Sequence, residues 1–295
     1  MNVHAHMLPP VPTAQAAVLR EILFPSDLSP ESARALEYAR LLAERFQARL
    51  TLLHVVPRGP SGPGLKLPEA RRRAERSARE QLERWASGLG CPQCVIVEQA
   101  ESVPRAVLGY VRGSTPDVVV MATHGREGVA QVLLGSVAES VIQHGRTPVL
   151  CIREPEHGVA LPFRRILVPT DLSPASRRPF ALGALIGRGF GAEVLALHVA
   201  HVGDGRLSGV AAAVEAALPS EAALRDFLWP EFAATRVTAR VELGSAADQI
   251  VQTARTEKAD LIVMSTHGHD SLRDRVLGSQ TERVIRTAPC PVLVA

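Results

Sequence analysis

REILFPSDLSPESARALEYARLLAERFQARLTLLHVV, residues 20–56, reads as strand, turn, helix and strand in succession. EILFP is a short apolar run that stops at Pro25, Ser26 and Asp27, residues that favour turns. SPESARALEYARLLAERF sets Leu36, Ala39, Ala43 and Phe46 at helical spacing, behind a Ser29-Pro30 pair suited to N-cap and first helical position. ARLTLLHVV follows as a second strand. Strands that are apolar throughout, rather than alternating, belong to a parallel sheet covered on both faces.

The stretch returns without a gap at 164–200 as RRILVPTDLSPASRRPFALGALIGRGFGAEVLALHVA. PDVVVMATHG (116–125) is answered by ADLIVMSTHG (259–268), and RTPVLCI (146–152) by APCPVLV (288–294). The 295 residues therefore divide into a tail over 1–19, a domain over 20–153, a linker over 154–163 and a second domain over 164–295. In the first domain the spacing predicts further helices over 69–86, around 102–112 and from 136, with strands at CVIVEQ, DVVVMAT and PVLCI. This alternation predicts an α/β fold of two repeated doubly wound domains, each a five-stranded parallel sheet with helices on both faces. The apolar last strands, PVLCI and PVLVA, are expected to meet within the chain as an internal pseudo-dimer, since such an edge invites pairing. A homodimer of whole chains is compatible with this.

Hydrophobic residues make up 46% of the chain and charged ones 21%, with a net charge of +3, an ordinary globular balance that points to neither nucleic acid nor membrane as partner. The basic run RRRAER (71–76) is relieved by Glu69, Glu75, Glu80 and Glu83 and reads as a solvated helix face. No stretch approaches the roughly 20 apolar residues of a membrane span, and the N-terminus lacks the basic start of a secretory signal. With only four cysteines, this points to a reducing cytoplasm. CPQC (91–94) follows a helix and leads into a strand, the wrong place for a redox pair, and no further ligands suggest zinc.

In open parallel sheets ligands bind beyond the carboxyl ends of the strands. Three features converge there in each copy: PSDLSP (25–30) or PTDLSP (169–174), the His-Val pair at 54–55 or 198–199, and Thr-His-Gly followed after nine residues by Gly-Ser. That last frame, THGREGVAQVLLGS (123–136) and THGHDSLRDRVLGS (266–279), fits a phosphate loop. Gly125 and Gly268 would let the chain turn over a ligand, while Gly135-Ser136 and Gly278-Ser279 would open helices whose N–H groups favour phosphate. Capping boxes, Ser136 with Glu139 and Ser279 with Glu282, explain the serines equally well. Asp27 and Asp171 could cap the following turn or accept a hydrogen bond from a base. No Walker motif exists, and GRGFGA (187–192) has the wrong strand and helix order for a dinucleotide fingerprint. The histidines at 54, 124, 198 and 267 form no set with a carboxylate and nucleophile, so no catalytic residue and no metal site is assigned.

These motifs resemble those of the universal stress protein family over nearly all of 20–295. Its ATP-binding members carry G-x-x-G-x₉-G-[ST]; here Ala122 and Ser265 replace the first glycine, which narrows the approach to ribose and phosphate. The resemblance implies ATP, with magnesium, as ligand. It places Pro25, Ser26, Asp27 and Val55, with Pro169, Thr170, Asp171 and Val199, around adenine. Met121, Ala122, Gly125, Arg126, Gly135, Ser136 and Val137, with Met264, Ser265, Gly268, Gly278, Ser279 and Gln280, would line ribose and phosphates. It also implies a stress-response role through nucleotide-dependent signalling or association, with slow hydrolysis at most; the alternatives are a nucleotide-free interaction scaffold and an enzyme of the wider adenine nucleotide α-hydrolase-like fold. Arg126 against His269, and Ala122 against Ser265, make the first site the tighter one in expectation.

Overall fold

The structure is a computed structural model that describes residues 18–58, 67–123, 134–153, 162–173, 176–200, 236–266 and 277–295. Copy one runs β1 (Glu21–Pro25), α1 (Pro30–Phe46), β2 (Arg49–Pro57), α2 (Leu67–Ala86), β3 (Gln93–Ala100), α3 (Val103–Ser114), β4 (Val118–Ala122), α4 (Ser136–His144) and β5 (Val149–Ile152). Copy two runs β6 (Arg165–Thr170), α5 (Arg177–Phe190), β7 (Glu193–Ala200), β8 (Val237–Leu243), α6 (Ala246–Thr256), β9 (Leu261–Met264), α7 (Ser279–Thr287) and β10 (Val292–Val294).

The α1 start follows its sequence: Ser29 accepts from the Ser32 N–H at 3.1 Å, and Pro30 takes the first helical position. Its buried stripe of Ala35, Leu36, Ala39, Leu42 and Ala43 lies on the sheet, and Gln47 ends it in the left-handed conformation at φ 53°. Each strand sends alternate residues to opposite faces, and both sets are apolar. Ile22 and Phe24 join the layer under α1, α2 and α5, while Leu23 joins the layer under α3, α4, α6 and α7. Burying one such side chain contributes about 1.5–3 kcal/mol, so unalternating apolar strands are stable only in this two-sided arrangement.

Ten strands form one sheet in the order β3-β2-β1-β4-β5-β10-β9-β6-β7-β8. Within each copy the neighbours are parallel. At the centre β5 and β10 pair antiparallel, Cys151 opposite Val292 and Val149 opposite Val294, so the final strands of the copies do meet. Both apolar layers run across this join. Over it Phe163 packs between the copies, 6.1 Å from the Tyr38 ring and 5.4 Å from the Phe190 ring. The antiparallel join turns the carboxyl edges of the two parallel sheets in opposite directions.

The repeat extends to hydrogen bonds. One Asp117 oxygen receives the N–H groups of Arg20 and Glu21, and one Asp260 oxygen those of Arg164 and Arg165, pinning β1 and β6 where they begin. Cys91 is buried in the layer of α1 and α2, whereas Cys94 opens on a cleft beside Tyr110 and Ser114 of α3. The two thiols of CPQC thus lie on opposite faces of the sheet, and none of the four cysteines forms a disulfide.

Candidate functional site

The strand order reverses between β1 and β4 in copy one and between β6 and β9 in copy two, and this is where a doubly wound sheet opens a crevice. The first wall is the turn leaving β1 or β6. Ser26 Oγ accepts from the Leu28 N–H at 3.0 Å, and Asp27 Oδ1 accepts from the Ser29 N–H at 3.0 Å. Thr170 and Asp171 do the same for Leu172 and Ser173, at 2.9 and 3.0 Å. Leu28 and Leu172 are held left-handed, at φ 63° and 62°. A side chain there costs about 1–2 kcal/mol, so the turn carries strain in both copies. Ser32 and Ser176, five residues on, donate their hydroxyls to the same Oδ1 oxygens. The sequence signal for these serines was their recurrence at one offset in both copies; the left-handed leucines had none.

The aspartates of 27 and 171 therefore cap the turn, one of the two roles open to them. In copy two the other oxygen, Asp171 Oδ2, is buried and accepts no hydrogen bond from the described residues. Burial alone would raise the Asp171 pKa, but the hydrogen bonds from the Ser176 hydroxyl and the Ser173 N–H outweigh it and hold the carboxyl below its ordinary value. The group stays ionised, with one oxygen fixed and the other offered to a donor.

The second wall comes from β2 and β7, which run beyond the ends of β1 and β6. His54 Nδ1 donates to the Ser26 carbonyl at 2.7 Å, and His198 Nδ1 to the Thr170 carbonyl at 2.9 Å, so both are satisfied strand-end histidines. Val55 is buried and Val199 half-buried beside them, Pro25 is buried, and Pro169 is half-buried. Met121 and Met264 are buried near the ends of β4 and β9, with Ala122 and Ser265 half-buried after them.

The third wall is where the loop returns. The Gly135 N–H donates to the Thr123 carbonyl at 2.8 Å, and the Gly278 N–H to the Thr266 carbonyl at 3.1 Å. This explains the fixed ends of the repeated frame: strand end and helix start are tied directly together. Gly135 has φ −60°, open to any residue, but a Cβ there would lie 3.0 Å from the Thr123 carbonyl oxygen. Space, not backbone freedom, demands glycine at 135. The expected turn and loop residues Gly125, Arg126, Gly268 and His269 lie outside the described residues.

The capping boxes do not form. Gly135 and Gly278 are the N-caps, with Ser136 and Ser279 already inside the helices. Glu139 accepts from Gln143 and Glu282 from Arg286, each one turn on, because the serines stand one position too late to reciprocate. The first helical bonds run from the N–H groups of Glu139 and Glu282 to Gly135 and Gly278. The preceding first-turn N–H groups, at 136–138 and 279–281, therefore face the loop end, as an anion site needs. Val137 packs into the apolar layer, and the Gln280 side chain accepts from the Ala247 N–H at 3.0 Å, capping α6. Only their backbones remain at the helix start. Helix α5 begins at Arg177, after a short turn at Ser176.

Comparison with known proteins follows the repeat. The profile of the Universal stress protein family matches residues 19–153 and again 162–295. A universal stress protein of Mycolicibacterium smegmatis is 29% identical over 296 residues, covering 95% of this chain and 98% of the relative. The universal stress protein Rv2623 of Mycobacterium tuberculosis is 27% identical over 293 residues, covering 91% and 94%. The crystal structure of a universal stress protein from Archaeoglobus fulgidus shares the fold, with a TM-score of 0.69 at 21% identity over 93% of this chain and 97% of that one. One family thus accounts for both halves of the sheet, and this chain is a member of the universal stress protein family with two of its domains in tandem.

Proposed function

We propose that each copy binds an adenine nucleotide, ATP, in the crevice between β1 and β4 or between β6 and β9, and that occupancy governs signalling or association in a stress response. The observation that carries this reading is Asp171 Oδ2, a buried acceptor without a partner among the described residues, on a carboxyl whose other oxygen is engaged. An exocyclic amino group is the donor such an atom lacks, and leaving it unpaired costs about 1–3 kcal/mol. Val199 supplies the apolar contact for a base, and the first turn of α7 the N–H groups for phosphate.

Among the described residues no group of three or more His, Cys, Asp or Glu could hold a metal ion, so magnesium is assigned to the nucleotide's own phosphates. We assign no catalytic residue: the strand-end histidines are oriented by backbone carbonyls, and turnover plays no part in this reading. No described helix is long and apolar enough to cross a membrane, and four cysteines without a disulfide suit the cytoplasm, where we place the protein.

Calorimetric titration of ATP, with GTP as control, tests the proposal, alongside chromatography of nucleotide released by heating the purified protein. ATP binding with GTP at least about tenfold weaker is expected, because guanine presents a carbonyl where adenine presents its amino group. No heat and no co-purified nucleotide would favour a scaffold; AMP with a second product would favour an enzyme.

A further inference from the structure

The seam over the central strands joins parts of the repeat that are not identical. Phe46 of α1 meets its own counterpart, Phe190 of α5, edge to face at 6.1 Å, which marks the local twofold relation of the copies. Around that pair the symmetry is broken. Arg45 has Gly189 as its counterpart, Tyr38 has Leu182, and Leu19 has Phe163. The differences are complementary. Arg45 Nε donates to the Gly189 carbonyl, Tyr38 stacks on Phe163, and Phe163 presents its edge to Phe190.

Gly189 is the decisive position. A Cβ there would lie 2.5 Å from Phe46 Cζ and 2.9 Å from Cε1, so the ring would have to leave its contact with Phe190. Pairing two first halves by the same geometry puts Arg45 where Gly189 stands. Its Cβ would strike the facing Phe46, two guanidinium groups would approach each other, and the Phe163 ring would be lost to a leucine. Pairing two second halves has no clash, but it loses the Arg45 hydrogen bond and replaces the Tyr38 stack with Leu182.

We propose that the α1–α5 seam is a selective docking surface, on which the first half of the chain fits the second half and rejects another first half. Arg45, Phe46 and Tyr38 form the protruding side, and Gly189 with Phe163 the receiving side. The selection keeps two different sites paired in one closed unit, and it bars two chains from associating through their first halves. Where chains exchange halves, they do so first with second.

The test uses the full chain with a protease site inserted between Glu154 and Gly158 and cut after folding. Isotopically labelled and unlabelled nicked proteins are mixed, left to exchange, and weighed by native mass spectrometry. First–second complexes are expected to exceed first–first complexes by about tenfold or more, and Arg45→Gly is expected to raise the first–first share. A statistical mixture of all pairings, or halves that separate without pairing, overturns the proposal. In the uncut chain, Gly189→Ala is expected to lower Tm clearly, and to do so much less when Phe46→Ala is already present. An equal loss in both backgrounds also overturns it.

Discussion

The two copies keep one backbone and spend side chains on it differently. Along α1 stand Ala39, Ala43, Arg45 and Gln47; along α5 the counterparts are Gly183, Gly187, Gly189 and Gly191. Interior helix glycines cost about 1 kcal/mol each relative to alanine, so α5 looks the poorer helix. Its neighbours explain the choice at two positions: a Cβ at 183 would lie 2.9 Å from Val168 Cγ2, and one at 189 would strike Phe46. Helix α5 gives up local propensity for close approach to β6 and to the other copy. The comparison teaches that tertiary contact decides helix composition here, and that the copies are no longer interchangeable.

The other face diverges as well. In copy two Gln280 caps the Ala247 N–H, Thr281 donates to the Ser265 carbonyl at 3.1 Å, and Arg283 pairs with Asp248. Copy one has Val137, Ala138 and Ser140 at the counterpart positions, with Pro104 and Arg105 as the counterparts of Ala247 and Asp248. The first exchange is intelligible: Pro104 has no N–H to cap, so the residue opposite is free to be apolar. Polar bracing in one copy replaces apolar packing in the other.

The largest effect expected from these differences is alkaline. Tyr38, which has leucine as its counterpart, buries a hydroxyl without a partner among the described residues at the seam. Burial, then the neighbouring Cys290 and Asp260, pushes its pKa up to about 12. The unfolded phenol ionises near pH 10, so the protonated, folded form contributes stability in full below pH 10 that is lost as pH rises toward 12, about 2–3 kcal/mol in all. Denaturant unfolding of Tyr38→Phe should show little change or a gain at pH 7 and a flatter decline above pH 10. A steeper decline than wild type would mean that Tyr38 does not carry the effect.

Next comes the inequality of the candidate sites. Gly135→Val is expected to remove the tighter ATP event in calorimetry, and Gly278→Val to leave it, with the sites differing by about tenfold, or 1.4 kcal/mol. The reverse result would show that the polar bracing of copy two outweighs the Arg126 of copy one. Circular dichroism of Gly135→Val checks that contact with the Thr123 carbonyl has not unfolded the domain.

The smallest test swaps the helix ends. Gln47 and Gly191 occupy the same left-handed position, at φ 53° and 67°. Gln47→Gly should stabilise by about 0.5–1 kcal/mol and Gly191→Gln destabilise by a similar amount, read as opposite shifts in the denaturant midpoint. Shifts of the same sign would show that neighbours, not φ, set these positions.

The sequence alone determined the repeat, the strand and helix order, the two-sided sheet and the family, because periodicity and recurrence are properties of the chain itself. Helix starts were less legible. Ser136 and Glu139 satisfy the capping-box spacing, yet the cap falls on Gly135, because the carbonyl of Thr123 claims the Gly135 N–H and fixes where the helix opens. Gln280 reads as a loop-end ligand by spacing, and only the packing of α6 against α7 shows that its carboxamide is already used. The choice of Gly189 was likewise decided by tertiary structure, by the Phe46 ring of the other copy. Gln280 and Gly189 depend on what lies opposite in space, from residues dozens of positions away, and no local pattern records that.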